Sequence, residues 1–140
     1  MADAGQDRLT APAELLEALR ASGAAGQEPV RFRFLEALAR RAEACRMDVA
    51  WWGPNPKPDA AWPRVDDLVQ LARESDILAV TCRADESNRG LISGAVLEAL
   101  GPEGLLVNVS RGQVVDEDAL IAALRAGKLG SAALDVFVEE

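Results

Sequence analysis

Two rhythms of apolar positions alternate along this chain. From residue 35 onward, stretches with apolar residues every three or four positions predict helices, and short continuous apolar runs predict buried strands. Leu35, Leu38, Ala39 and Ala42 share one face and predict a helix over residues 35–45. Residues 48–52 read as a short strand. Pro54, Pro56 and Pro58 then deny the chain ladder donors, so this segment is irregular. Leu68, Val69 and Ala72 mark the inward face of a helix over residues 65–73. Residues 77–81 are continuously apolar, as in a parallel strand covered on both faces. A polar loop follows over residues 82–88. Ser93 caps a helix that Gly101 and Pro102 end after Leu100. Residues 105–109 form the next strand, Asp116 caps a helix running to about Ala126, and residues 132–137 form the last strand.

The first 29 residues follow a different pattern. Leu15, Leu16 and Leu19 form a stripe behind Pro12, which predicts a short amphipathic helix over residues 12–21. Ser22 and Gly23 end it, and a small-residue linker runs to Pro29. Residues 30–34 alternate apolar and basic, and read as a short strand or as the lead-in to the helix behind them. The expected organisation is an extension over residues 1–29 and an α/β domain over residues 30–140. Alternation with connections this short argues for parallel βαβ units. The expected fold is an incomplete Rossmann-like, doubly wound parallel sheet of about four strands.

A length of 140 residues suits one domain with a real core. The chain is 49% hydrophobic and 27% charged, which is a globular balance. A net charge of −8 argues against nucleic acid and anionic membrane surfaces as partners, and no run approaches the length of a membrane span. Two cysteines, Cys45 and Cys82, without a disulfide pattern fit a reducing, cytoplasmic setting. Mid-helix, Cys45 reads as a small buried hydrophobe. The sequence has no histidine, so it offers neither an imidazole acid/base nor a zinc site.

Candidate chemistry concentrates in residues 105–120. There an apolar strand is followed by a tight polar turn with one arginine, then by an acid-capped helix. Arg111 falls just past the carboxyl end of a strand, where open α/β sheets bind ligands. Its guanidinium is a permanently charged fork suited to a carboxylate. Asp116, Glu117 and Asp118 crowd one first helical turn, where acids complement the helix dipole rather than mark a metal site. Trp51 and Trp52 read as core, with adenine stacking as the other use of such rings.

The run Asn108-Val109-Ser110-Arg111-Gly112-Gln113-Val114-Val115-Asp116-Glu117-Asp118-Ala119-Leu120 resembles the signature of the D-isomer-specific 2-hydroxyacid dehydrogenases. That family carries Asn-x-x-Arg-Gly-x-x-Val-Asp-Glu-x-x-Leu in its NAD(P) domain. Four further segments match in order: residues 37–42, residues 74–77, Asn88-Arg89-Gly90-Leu91-Ile92 and Ala133-Leu134-Asp135-Val136-Phe137. The resemblance covers about residues 36–140 and is nearest the glyoxylate/hydroxypyruvate reductase branch.

The resemblance implies roles for matching residues. Arg111 stands where the family orients the substrate carboxylate and keto oxygen. Glu140 stands where a glutamate raises the pKa of the catalytic histidine. Val109 and Ser110, with Arg111, match the loop that contacts the nicotinamide ribose, and Asp135 matches the holder of the carboxamide. Cys82 and Arg83 fall near the adenosine and pyrophosphate, although the family commonly has proline where Arg83 stands. Gly53 replaces the aspartate of NAD-specific members. With Asn55 and Lys57 nearby, this resembles NADP-using members, so NAD or NADP is the implied cofactor, with NADP favoured.

The departures are as specific. The family's three loop glycines fall in register on Val30, Phe32 and Leu35. Side chains there would fill the space of a pyrophosphate, and the turn loses its positive-φ residues. The chain reaches Glu140 before the family's histidine. Two functions stay open at this level. One is part of an oxidoreductase that reduces small 2-keto acids such as glyoxylate or hydroxypyruvate. The other is a non-catalytic α/β remnant with weak or no nucleotide binding, or a partner-binding module. Pairing into a homodimer is also left open.

Overall fold

The structure, a computed structural model, describes residues 30–138. The helix expected over residues 12–21 and the candidate Glu140 lie outside the described residues. The described residues fall into two units, one up to Asp48 and one from Val49 onward.

In the first unit, helix α1 spans Val30–Ala44. Residues 30–34 therefore take the helical option. Adding residues to an existing helix costs less than starting a strand with no partner, because each new residue brings one hydrogen bond. The helix ends where Arg46 adopts a positive φ of 61° and the amide of Met47 donates to the Ala42 carbonyl at 3.0 Å. Cys45 sits in this terminal turn and is exposed, so it is not the buried hydrophobe expected from a longer helix.

The second unit runs α2 (Leu68–Arg73), β1 (Ile77–Val80), α3 (Gly94–Leu100), β2 (Leu105–Asn108), α4 (Glu117–Arg125) and β3 (Ser131–Leu134). Short 3-10 turns occur at Glu86–Asn88 and Gly112–Val114. The sheet is parallel with order β1-β2-β3, pairing Val80 with Asn108 and Asn108 with Leu134. Right-handed crossovers between sequential neighbours put α3 and α4 on the same face. Helix α3 packs against both α2 and α4. Leu78, Val80, Leu97, Leu100, Leu106, Val114 and Leu120 fill the core.

The strands do not behave as though equally covered on both faces. Leu78, Val80, Leu106 and Asn108 are buried, whereas Ala79 between them is exposed and Leu105 and Val107 are half-buried. The continuous apolar run of β1 thus serves a sheet with one fully packed face.

The fourth expected strand reduces to one parallel bridge between Trp51 and Arg64. The Trp51 amide donates to Pro63 at 3.1 Å, and the Val65 amide donates to Trp51 at 2.9 Å. Pairing Val65 this way delays α2 to Leu68, where Asp67 caps the helix by accepting from the Gln70 amide at 2.9 Å. Trp51 is buried and Trp52 packs against the core, in line with their reading as core residues. Ser93 occupies the cap position of α3 but makes no side-chain cap bond.

Candidate functional site

The candidate residues collect along one edge of the sheet because the three strands end in register. After Val80 come Cys82 and Arg83, after Asn108 come Val109, Ser110 and Arg111, and after Leu134 comes Asp135. Backbone bonds continue the pairing past the strand ends. Val109 donates to Val80 at 3.3 Å, and Asp135 donates to Asn108 at 3.0 Å. All of these candidates lie at carboxyl ends of parallel strands, the edge at which such sheets bind ligands.

The Arg111 turn is built by Asn108, which is 1% exposed. Its Oδ1 accepts from the Ser110 amide at 3.0 Å, and its Nδ2 donates to the Arg111 carbonyl at 3.0 Å. An asparagine that ends a strand and hydrogen-bonds two residues on is an Asx turn. The Ser110 hydroxyl accepts from the Arg111 amide at 2.6 Å. The Arg111 side chain is exposed, and its Nη1 donates to the Ser110 carbonyl at 2.8 Å. A fixed backbone thus presents a guanidinium at the sheet edge.

Neighbouring segments hold this turn on both sides. Gly90 donates to Gln113 at 2.8 Å, Ile92 donates to Val114 at 3.0 Å, and Asp116 donates to Ile92 at 3.1 Å. The loops after β1 and β2 are therefore zipped together. On the other side, a Cβ on Gly112 would collide with the backbone of Phe137 and Val138. Glycine is needed here for close approach rather than for an unusual φ.

The loop after β1 has its own frame. Asp85 accepts from the Ser87 amide at 2.8 Å, Asn88 Oδ1 accepts from the Asp85 amide at 2.9 Å, and Asn88 Nδ2 donates to the Arg83 carbonyl. The Ser87 hydrogen bonds hold the Asp85 carboxyl below its usual range. Cys82 is exposed as a residue, yet partial burial pushes its thiol up, opposed by its backbone and by a hydrogen bond with the Ser110 side chain.

Gly53, Asn55 and Lys57 lie after the Trp51 bridge, away from the aligned strand ends in sequence. Asn55 and Lys57 are exposed, and Lys57 Nζ stands 5.7 Å from the Trp51 ring centroid. The Gly53 carbonyl accepts from Arg64 Nη2 at 2.9 Å, and Arg64 also lies over the Trp51 ring at 6.0 Å. Arg64 was not among the candidates expected from sequence. Its guanidinium brings a cation to Gly53 from eleven residues away, which no local pattern reveals.

Among the described residues, no glycine turn stands at the positions where the resemblance puts one. Val30, Phe32 and Leu35 all lie within α1, so the backbone there is helical and forms no glycine turn. Among the described residues, the positive-φ glycines are Gly90, Gly101 and Gly127, all elsewhere. The residues present do not fit a bound pyrophosphate. Among the acids of the first α4 turn, Asp116 caps the helix by accepting from the Ala119 amide at 3.0 Å. Glu117 accepts from the Val138 amide at 2.9 Å.

Comparison with known proteins agrees with the α/β fold. Residues 36–140 match the family model for the NAD binding domain of D-isomer specific 2-hydroxyacid dehydrogenases. Residues 16–52 match a second model, of a protein family of unknown function. The chain is 45% identical over 104 residues to a glyoxylate/hydroxypyruvate reductase of Arabidopsis thaliana, covering 74% of this chain and 33% of that protein. It is 43% identical over 107 residues to an (S)-sulfolactate dehydrogenase of Chromohalobacter salexigens, covering 74% of this chain and 35% of the relative. A solved structure of an NADPH-dependent glyoxylate/hydroxypyruvate reductase from Sinorhizobium meliloti, in complex with NADP and malonate, superposes with a TM-score of 0.74 at 39% identity. That match covers 77% of this chain and 34% of the other. The chain spans about a third of the length of the curated relatives it matches.

Proposed function

Because this chain belongs to the D-isomer-specific 2-hydroxyacid dehydrogenase family, we propose that it carries the substrate-facing half of that family's NAD(P) domain. Its work is to hold a small 2-keto acid, of the glyoxylate or hydroxypyruvate kind, beside a nicotinamide ring. The observation that carries this reading is the in-register edge formed by Cys82, Ser110, Arg111 and Asp135.

In this reading Arg111 binds the substrate carboxylate. The charge of a guanidinium does not titrate at physiological pH, and its planar fork suits two carboxylate oxygens. Asn108 fixes the turn before any ligand arrives, so little ordering cost falls on binding. Val109 and Ser110 face the nicotinamide ribose, and Asp135 accepts from the carboxamide. Cys82 and Arg83 lie toward the adenosine. Gly53, Asn55 and Lys57 lie toward its ribose hydroxyls, with NADP favoured over NAD. Glu140 takes the place of the glutamate that partners the family's catalytic histidine. In the family a nicotinamide held at this edge would supply the hydride. A cytoplasmic setting suits the free Cys45 and Cys82, and pairing of two copies belongs to the same reading.

The helical backbone at Val30, Phe32 and Leu35 favours a second reading. There the chain is a non-catalytic relative that binds dinucleotide weakly or not at all. Ligand-detected NMR separates the two. If the edge works, nicotinamide mononucleotide receives saturation from the protein at its ring protons, and Asp135→Ala weakens the effect. Binding of adenosine diphosphate in preference to nicotinamide mononucleotide would contradict the first reading, and silence from both would support the second.

A further inference from the structure

The segment that leaves β3 is held at both ends. At one end the Asp135 amide donates to the Asn108 carbonyl at 3.0 Å. At the other the Val138 amide donates to Glu117 Oε1 at 2.9 Å. Between them the backbone of Phe137 presses on Gly112, so closely that a Cβ there has no room. Gly112 directly follows Arg111 in the chain. The Phe137 and Val138 side chains are 55% and 50% exposed, so apolar burial does little to hold this segment down. The two hydrogen bonds and the backbone contact do that instead.

Glu117 is not needed for the cap of α4, because Asp116 already accepts from the Ala119 amide. Its carboxylate turns to a segment 21 residues away. We infer that Glu117 is a positioning residue: by accepting from the Val138 amide it clamps the β3 exit onto the Arg111 turn and fixes the spacing of Asp135 from Arg111. A hydrogen bond to an ionised acceptor is stronger than a neutral one, which suits a clamp at an exposed site. The functional consequence rests on the reading of Arg111 as the carboxylate-binding group; the clamp itself does not.

The test uses the full chain and three variants. Glu117→Gln keeps an acceptor at the same reach and removes the charge. Glu117→Asp keeps the charge and shortens the reach. Glu117→Ala removes both. Hydrogen exchange at the Val138 amide is read by NMR, with α4 amides as the control for helix stability. The clamp predicts that exchange at Val138 becomes roughly tenfold faster in Glu117→Ala and Glu117→Asp, the size expected for one lost hydrogen bond to a charged group. In Glu117→Gln it quickens by only about threefold, because a neutral acceptor keeps about half of that bond's strength. Retention in Glu117→Asp with loss in Glu117→Gln would show a helix-dipole role and overturn the clamp. So would unchanged exchange in Glu117→Ala. A second arm titrates oxalate and follows the amides of Arg111 and Asp135. The clamp predicts that the two respond together in wild type and in Glu117→Gln, and that Asp135 drops out in Glu117→Ala. If Arg111 in the wild type ignores oxalate while the exchange pattern holds, the reading of Arg111 fails and the clamp stands. If Arg111 and Asp135 respond together in all three variants, the positioning role is overturned.

Discussion

Asn108 grips Arg111 by its backbone: the buried Asn108 Nδ2 donates to the Arg111 carbonyl at 3.0 Å. The same side chain accepts from the Ser110 amide, so one residue inside the core shapes the whole turn that presents the guanidinium. Asn108→Ala breaks both bonds and leaves the buried Ser110 amide without its acceptor, while the Arg111 carbonyl keeps the bond from the Val114 amide at 3.2 Å. The expected loss is about 1–3 kcal/mol, read as a lower urea midpoint with an unchanged slope. A loss under about 0.5 kcal/mol, the range of an inert surface change, would mean that the turn holds itself together without Asn108.

Gly112→Ala addresses the other support. The new Cβ meets the backbone of Phe137 and Val138, which cannot rotate away as a side chain can. Overpacking of this kind costs about 1–3 kcal/mol. Exchange at Asp135 and Val138 should quicken while the α3 core stays protected. A variant with wild-type stability and protection would show that the close approach is relaxed in solution.

Much of this frame is legible in the sequence, and the remainder shows what a linear pattern leaves out. The strands at residues 77–80 and 105–108 follow from short apolar runs between turn signals, and Asp116 caps α4 where an acid before a helical stripe should. The segment at residues 48–52 has the composition of a strand, yet Pro54, Pro56 and Pro58 follow so soon that only the Trp51–Arg64 bridge forms. Val65 looked like the start of α2 because its apolar side chain fits the stripe. Its amide instead pairs with Trp51, a choice set by partners and not by period. Arg111 stands out as a lone cation after a strand. By contrast, the Gly112–Phe137 approach and the Glu117–Val138 hydrogen bond join residues far apart in the chain and leave no local mark.

Cys82 offers a pH-dependent handle. Burial raises its thiol pKa above the ordinary value, more than the hydrogen bond with Ser110 lowers it. The folded state therefore keeps the proton longer than the unfolded chain does. The stability that this group contributes is fully present below the ordinary thiol range and is lost as pH rises through the raised value. Alkylation of Cys82 by iodoacetamide, mapped by mass spectrometry, should inflect at higher pH than in a short cysteine peptide. In Cys82→Ala the alkaline fall in stability should shrink. An inflection at or below that of the peptide would contradict the assignment.

Dinucleotide binding should be weak. With Val30, Phe32 and Leu35 in a helix, the family's glycine positions offer no turn to receive the two central phosphates. Calorimetric titration of NADPH and NADH into the chain should give dissociation constants on the order of millimolar at best. Low micromolar binding of either would show that the phosphates find another seat.

The central claim is that Arg111, set at the carboxyl edge of the sheet by Asn108, is a carboxylate-binding group. The direct measurement is a titration of the 15N-labelled chain with oxalate, in wild type and in Arg111→Ala and Arg111→Lys. The account predicts saturable amide shifts confined to Ser110, Arg111, Gly112 and Asp135. These shifts vanish in Arg111→Ala and weaken severalfold in Arg111→Lys, because a point charge on a flexible stem does not replace a planar fork. Shifts of the same size and position in Arg111→Ala would contradict it.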